Sequence, residues 1–140
     1  MRKTSALFHQ RIETKIMCES GKHDFDVKVG EFWWYYEGIN IGNEISKDGQ
    51  FKRPCLIVKN MMGNGLILVC PLTTKFHSGR KDYFISVTNY QNFNLKPSQL
   101  VINQIKLIDS KRFAGKISNN KASLNFVKLI LFRYCNLIKK

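Results

Sequence analysis

The run Phe32-Trp33-Trp34-Tyr35-Tyr36 constrains the fold more than any other segment of the chain. Consecutive aromatic side chains are strong β-formers, and Gly30 and Gly38 bound the run on either side. Alternation along a strand sends roughly half of these rings to one face, so core is their default place. Similar short runs follow. Pro54 opens a strand through Cys55-Leu56-Ile57-Val58, and Asn64-Gly65 predicts a tight hairpin turn because both residues tolerate positive φ. Leu66 to Leu72 is the returning strand, and Tyr83-Phe84-Ile85-Ser86-Val87 is a fourth. Ser98 to Ile102 and Ile105 to Ile108 make a fifth, interrupted at Asn103-Gln104. Polar segments from Glu37 to Lys52, Thr73 to Lys81 and Thr88 to Pro97 separate these strands. Short strands at such spacing predict a small barrel rather than βαβ units.

The C-terminal end differs. Ser118, Asn119 and Asn120 are candidate caps, and Leu124, Val127, Leu131, Tyr134 and Ile138 recur at helical spacing. Phe126, Leu129, Ile130 and Phe132 widen that apolar surface beyond one stripe, which predicts core packing on one side and a subunit interface on another. Its charged residues are all basic, and Lys139 and Lys140 complement the negative end of the helix dipole. Residues 1–28 read as an extension, with Leu7, Phe8, Ile12 and Ile16 on one face of a short helix and a linker from Glu19 to Asp24. Residues 29–140 then form one domain, and 140 residues suffice for a single core without disulfides.

Charge narrows the partners. The chain carries 23 Lys and Arg against 10 Asp and Glu. The excess lies in the second half, where residues 76–140 hold 12 basic and 2 acidic groups. Such a field suits a polyanion: nucleic acid, an acidic protein segment or anionic lipid. Apolar runs are far shorter than the ~20 residues that span a bilayer, and no signal-peptide core begins the chain, so the expected place is the cytoplasm. Cys18, Cys55, Cys70 and Cys135 lack C-x-x-C spacing and read as reduced thiols. His9, His23 and His77 lack ligand spacing, and there is no phosphate-binding glycine loop or nucleophile elbow. No metal or cofactor is expected.

Several segments, in order, resemble the MazF/PemK/Kid toxins. Gly30-Glu31-Phe32-Trp33-Trp34 looks like their opening strand, and Gly42-Asn43-Glu44 like their loop motif. Lys52-Arg53-Pro54-Cys55-Leu56-Ile57-Val58 matches their Arg-Pro strand start, and Pro71-Leu72-Thr73-Thr74 the end of their third strand. Asn103-Gln104-Ile105-Lys106-Leu107-Ile108-Asp109, then Lys111-Arg112-Phe113 and Gly115-Lys116-Ile117, resemble the segments that follow. The resemblance covers roughly residues 29–135. It implies a mostly β, SH3-like barrel of the MazF/CcdB type with a C-terminal α-helix, usually dimeric. It also implies metal-independent cleavage of single-stranded RNA and restraint by an acidic antitoxin.

That chemistry defines the residue types required. The 2′-OH attacks the adjacent phosphate, giving a 2′,3′-cyclic phosphate and a 5′-OH, so the enzyme must stabilise phosphoryl charge and move two protons. The resemblance places Arg53 on the phosphoryl oxygens, where a planar, permanently charged fork is suited to pair two of them. It makes Thr73 the hydroxyl that hydrogen-bonds the phosphate or relays a proton. Glu44 orients Arg53 or contacts RNA, and Gln104 reads a base or binds phosphate. Thr74 and Lys75 are phosphate contacts, His77 an acid near Thr73, and Phe51 a base-stacking ring. Asn103 departs from the acid that several members carry there, and an amide is no general base. Two other classes fit the same fold: a catalytically silent nucleic-acid or protein-binding module, and a CcdB-like gyrase poison. The second class ends in a Trp-Gly-Ile tail, where this chain ends in Lys139-Lys140.

Overall fold

The computed structural model describes residues 26–37, 52–61, 65–75, 79, 83–87, 97–117 and 121–139. Within them lie strands β1 (Phe32–Tyr36), β2 (Lys52–Met61), β3 (Leu66–Thr73), β4 (Phe84–Ser86), β5 (Gln99–Val101), β6 (Lys106–Asp109) and β7 (Phe113–Lys116), then helix α1 (Leu124–Ile138). The strands run in the order β4-β5-β3-β2-β1-β7, with β6 also on β3, and every pairing is antiparallel. The expected β domain with a terminal helix is therefore present, as a sheet whose ends do not pair among the described residues.

The interrupted fifth strand has a simple geometry. β6 pairs with Leu66–Val69 and β5 with Leu72–Thr73, so both occupy one edge of β3. Between them the chain makes a 3-10 turn at Ile102–Gln104, where the predicted break falls. β7 was not anticipated: its stretch Phe-Ala-Gly-Lys has only one strong β-former, and pairing with β1 alone makes it a strand. β2 starts at Lys52, two residues before the expected Pro54 opening. Pro54 is tolerated because β2 has only β1 beside it there; pairing to β3 starts at Cys55↔Pro71. β2 and β3 pair up to Met61↔Leu66, and Gly65 takes φ +66° just before β3.

Side-chain alternation gives the sheet two apolar faces. Phe32, Leu56, Cys70, Leu72 and Leu100 pack with Val127 and Ile130 of α1. Trp33, Tyr35, Cys55, Ile57, Ile67, Val69, Ile108 and Phe113 form the other core, where Trp33 and Phe113 meet edge to face at 5.7 Å. Val27, on the extension side of the expected boundary, is buried in this second core. Lys106 of β6 bonds Glu37 at the end of β1, three strands away. Strand spacing would separate them by about 14 Å in a flat sheet, so the sheet curls around the second core.

Ser123 caps α1, its hydroxyl accepting from Phe126 N at 3.2 Å; the expected caps, residues 118–120, lie outside the described residues. The buried helix face is Val127 and Ile130, flanked by Phe126, Leu131, Tyr134 and Leu137. Leu124 and Ile138, placed on the core stripe by spacing, are instead 62% and 66% exposed, because the sheet covers only the middle of that face. Gly30 fixes the helix approach. Its φ is +91°, its O accepts from Ala122 N at 2.8 Å, and a Cβ there would lie 2.7 Å from Ala122 O. No helix among the described residues is long and apolar enough to cross a membrane.

Candidate active site

The inner face of the curl carries a chain of polar groups at one end. Tyr35 and Arg53 are cross-strand partners in the β1–β2 register, and both are buried. Parity puts Arg53 on the face of Cys55 and Ile57, and Thr73 on that of Ile67 and Val69. Pairing of β2 with β3 stops at Cys55↔Pro71, two residues short of Arg53, while Thr73 pairs with Gln99 of β5. The Arg53 guanidinium reaches the end of β3, donating from Nη2 to Leu72 O at 3.4 Å.

Glu37 binds the group together. It sits one residue past β1, buried, and meets Arg53 Nε at 3.2 Å through Oε2. Its Oε1 accepts from Tyr35 OH at 2.9 Å and from Lys106 Nζ. Lys106 Nζ also lies 5.5 Å from the Tyr35 ring centroid, a cation–π distance. Two cations on one carboxylate leave the cluster with an excess positive charge. Among the described residues Arg53 Nε and Nη1 are buried without a hydrogen-bond acceptor, so Nε meets Glu37 as a charge contact. Burial lowers the Arg53 pKa, against the opposing pull of Glu37 and then Tyr35; an arginine starts high enough to stay charged at neutral pH. Burial and the neighbouring Glu37 charge push the Tyr35 phenol far up, so it stays a neutral donor.

Thr73 ends β3, buried, with Oγ1 accepting from Lys75 N at 3.2 Å. That bond occupies a lone pair and leaves the hydroxyl proton available to a further acceptor. Thr74 and Lys75 follow it into solvent. Asn103 is exposed and Gln104 half-buried in the turn joining β5 to β6. Glu44, Phe51 and His77 lie outside the described residues. The structure thus brings the Arg53 guanidinium to the Leu72 carbonyl, one residue before Thr73. The acid that meets Arg53 is Glu37, which the sequence treated only as the start of a loop. A signal existed: Tyr35 and Glu37 are two apart, so a continuing strand puts both on one face. Lys106 was quoted in a matched segment with no role.

The thiols at positions 55 and 70 are free and buried, and burial pushes both up, which leaves them unreactive; Cys135 is free and exposed.

Comparison with known proteins adds the fold's company. A family model described as PemK-like, MazF-like toxin of type II toxin–antitoxin system matches residues 28–127. No curated protein matches the sequence. Among solved structures, MazF from Deinococcus radiodurans superposes with a TM-score of 0.64 at 15% identity, covering 84% of this chain and all (100%) of that one. The MazE–MazF complex from the same organism gives 0.58 at 17% identity, over 83% and 98% of the two chains. An endoribonuclease in complex with its cognate antitoxin, from a mycobacterial species, gives 0.57 at 11%, over 81% and 96%.

Proposed function

The chain belongs to the PemK-like, MazF-like toxin family of type II toxin–antitoxin systems, and from that premise we propose that it is a metal-independent endoribonuclease acting on single-stranded RNA. The observation that carries this reading is the reach of the buried Arg53 guanidinium to the end of β3, where Nη2 donates to Leu72 O, the residue before Thr73. A buried guanidinium whose Nη1 has no acceptor among the described residues lies at the strand end that carries the Thr73 hydroxyl, itself an acceptor from Lys75 N. Both are donors suited to phosphoryl oxygens. In the reaction the 2′-oxygen forms a bond to phosphorus while the bond from phosphorus to the 5′-oxygen breaks. The 2′-OH loses its proton and the 5′-oxygen gains one. Arg53 Nη1 and Thr73 Oγ1 donate to the phosphoryl oxygens as charge builds on them. Thr74 and Lys75, exposed just beyond Thr73, lie where the flanking backbone would pass, and Gln104 is the candidate for a base or phosphate contact. Asn103, as an exposed amide, takes no proton.

The partners follow from the same reading. An acidic antitoxin segment would satisfy the basic field and occupy the RNA path, as two of the similar structures are toxins or ribonucleases held with an antitoxin. The outer face of α1 carries Leu124, Leu129 and Phe132 exposed, apolar area suited to a second copy of the chain. Light scattering at micromolar concentration should then give the mass of a homodimer. Cytoplasmic RNA is the expected target pool.

The decisive experiment incubates purified protein with mixed cellular RNA in EDTA and maps the ends. Cleavage with 2′,3′-cyclic phosphate and 5′-OH products is expected. An absolute requirement for a divalent ion, or 5′-phosphate products, would overturn the reading.

A further inference from the structure

Glu37 is the residue of this site that neither its sequence context nor the reaction requires, and the geometry gives it a task. An unhindered carboxylate beside a guanidinium takes two parallel N–H bonds. Here Oε1 is already engaged by Tyr35 OH and Lys106 Nζ, so only Oε2 faces Arg53. The guanidinium is held instead at two separate places: Nε against Glu37 and Nη2 on Leu72 O. Because the group is planar, these two holds fix its plane and aim Nη1. Nη1 is buried and has no acceptor. An unmade bond from a buried charged donor is costly, so a structure that served stability alone would have closed it. Among the described residues, this buried cationic donor lacks the acceptor that an anion would supply.

We propose that Glu37 is a positioning residue for Arg53, held in a one-oxygen grip by Tyr35 and Lys106 so that Nη1 stays free for the scissile phosphate. This rests on the ribonuclease reading and deepens it. Glu37 touches no substrate. Its effect is orientational, and it falls on the step in which phosphoryl charge grows rather than on RNA binding. Lys106, one-third exposed at its side chain, balances the carboxylate so that the pair does not cancel the charge of Arg53.

The test compares Glu37→Gln and Glu37→Asp with the wild type on an oligoribonucleotide carrying the mapped cleavage site. Binding is measured separately with the same oligomer bearing a 2′-deoxy nucleotide at that site, which cannot be cut. A misplacement of about 1 Å costs on the order of 100-fold in rate. In Glu37→Gln, kcat should fall by about that factor while the Kd of the uncut analogue moves less than about threefold. Glu37→Asp, which keeps the charge on a shorter arm, should recover part of kcat. The Arg53 Nε–H NMR signal, assigned through its loss in Arg53→Lys, should shift in Glu37→Gln. Wild-type kcat in folded Glu37→Gln would overturn the proposal, as would an unmoved Nε–H signal. If Glu37→Gln does not fold, Glu37→Asp decides: reduced kcat at a near-native melting temperature supports the role, and full kcat overturns it. If the wild type cuts no RNA, the ribonuclease reading fails by itself, and the Nε–H signal alone tells whether Glu37 holds the guanidinium.

Discussion

Two glutamates flank the first strand, and each is buried with a lysine from a distant strand, yet they have been put to opposite uses. Glu31, just before β1, accepts from Lys28 N at 2.7 Å, Trp33 Nε1 at 3.1 Å and Lys116 Nζ at 2.8 Å. Each of these three groups bonds it. Burial pushes its carboxyl up, but the bonds from Lys116, Lys28 N and Trp33 outweigh this and hold it below its ordinary value. Glu37, just after β1, accepts from two donors and adds a charge contact to a guanidinium whose Nε and Nη1 lack acceptors among the described residues. A closed cluster stabilises the sheet. A cluster with buried guanidinium donors left without acceptors stabilises it less and suits an anion. Similar residue types produce both, and the count of unsatisfied donors tells them apart.

The sharpest way to break this contrast is at the guanidinium. Arg53→Lys keeps a charge but loses the planar fork, and Thr73→Val keeps the shape but loses the hydroxyl. Each should lower the cleavage rate by on the order of 10²–10³. The variants should unfold cooperatively in urea, and a wild-type rate in either would place the active site elsewhere. Arg53→Ala is the poorer variant, because removing one partner of a buried ion pair costs about 3–5 kcal/mol and confuses rate with stability.

The counterpart is Glu31→Gln, which should leave kcat within about twofold while lowering stability by about 1–3 kcal/mol at neutral pH. Its pH dependence has a definite sign. A carboxyl depressed in the folded state contributes stability above its unfolded value and loses it as pH falls through the folded value. The gap between wild type and Glu31→Gln, read from urea melts, should therefore close as pH drops below the ordinary value of 4.5. A gap that persists well below that point would remove the ionic account of the cluster. The smallest effect is expected at the exposed Lys75. Lys75→Gln should raise KM a few-fold with kcat unchanged, and reduce the slope of log affinity against log salt by about 0.7. An unchanged slope would take Lys75 off the RNA path.

Much of this architecture was legible because it depends on local patterns. The aromatic run forecast β1, the alternation forecast its burial, and helical spacing forecast α1. The residues that close the site were not legible, for reasons of distance. Glu37 meets Lys106 across 69 residues of sequence, and Arg112 reaches Tyr36 O across 76. No window on the chain contains such pairs. Arg53 and Thr73 are proposed from the neighbours that frame them in a family, whereas the carboxylate beside Arg53 is seen only in the fold. The core face of α1 was misjudged at its ends because periodicity gives direction, not the extent of the surface opposite.

The joining of Gly30 to Ala122 has a consequence for how the protein comes into being. The first strand is hydrogen-bonded to β7 and to the approach of α1, so its aromatic residues wait for the last third of the chain. Contacts of such sequence separation make folding slow, in the range of milliseconds to seconds for sheets of this kind. During synthesis, a chain grown past Thr73 already carries both proposed donors but lacks Lys106, β7 and the helix. The polar cluster at the end of β1 is therefore assembled only after residues 106–122 have been added, however early the first strands form.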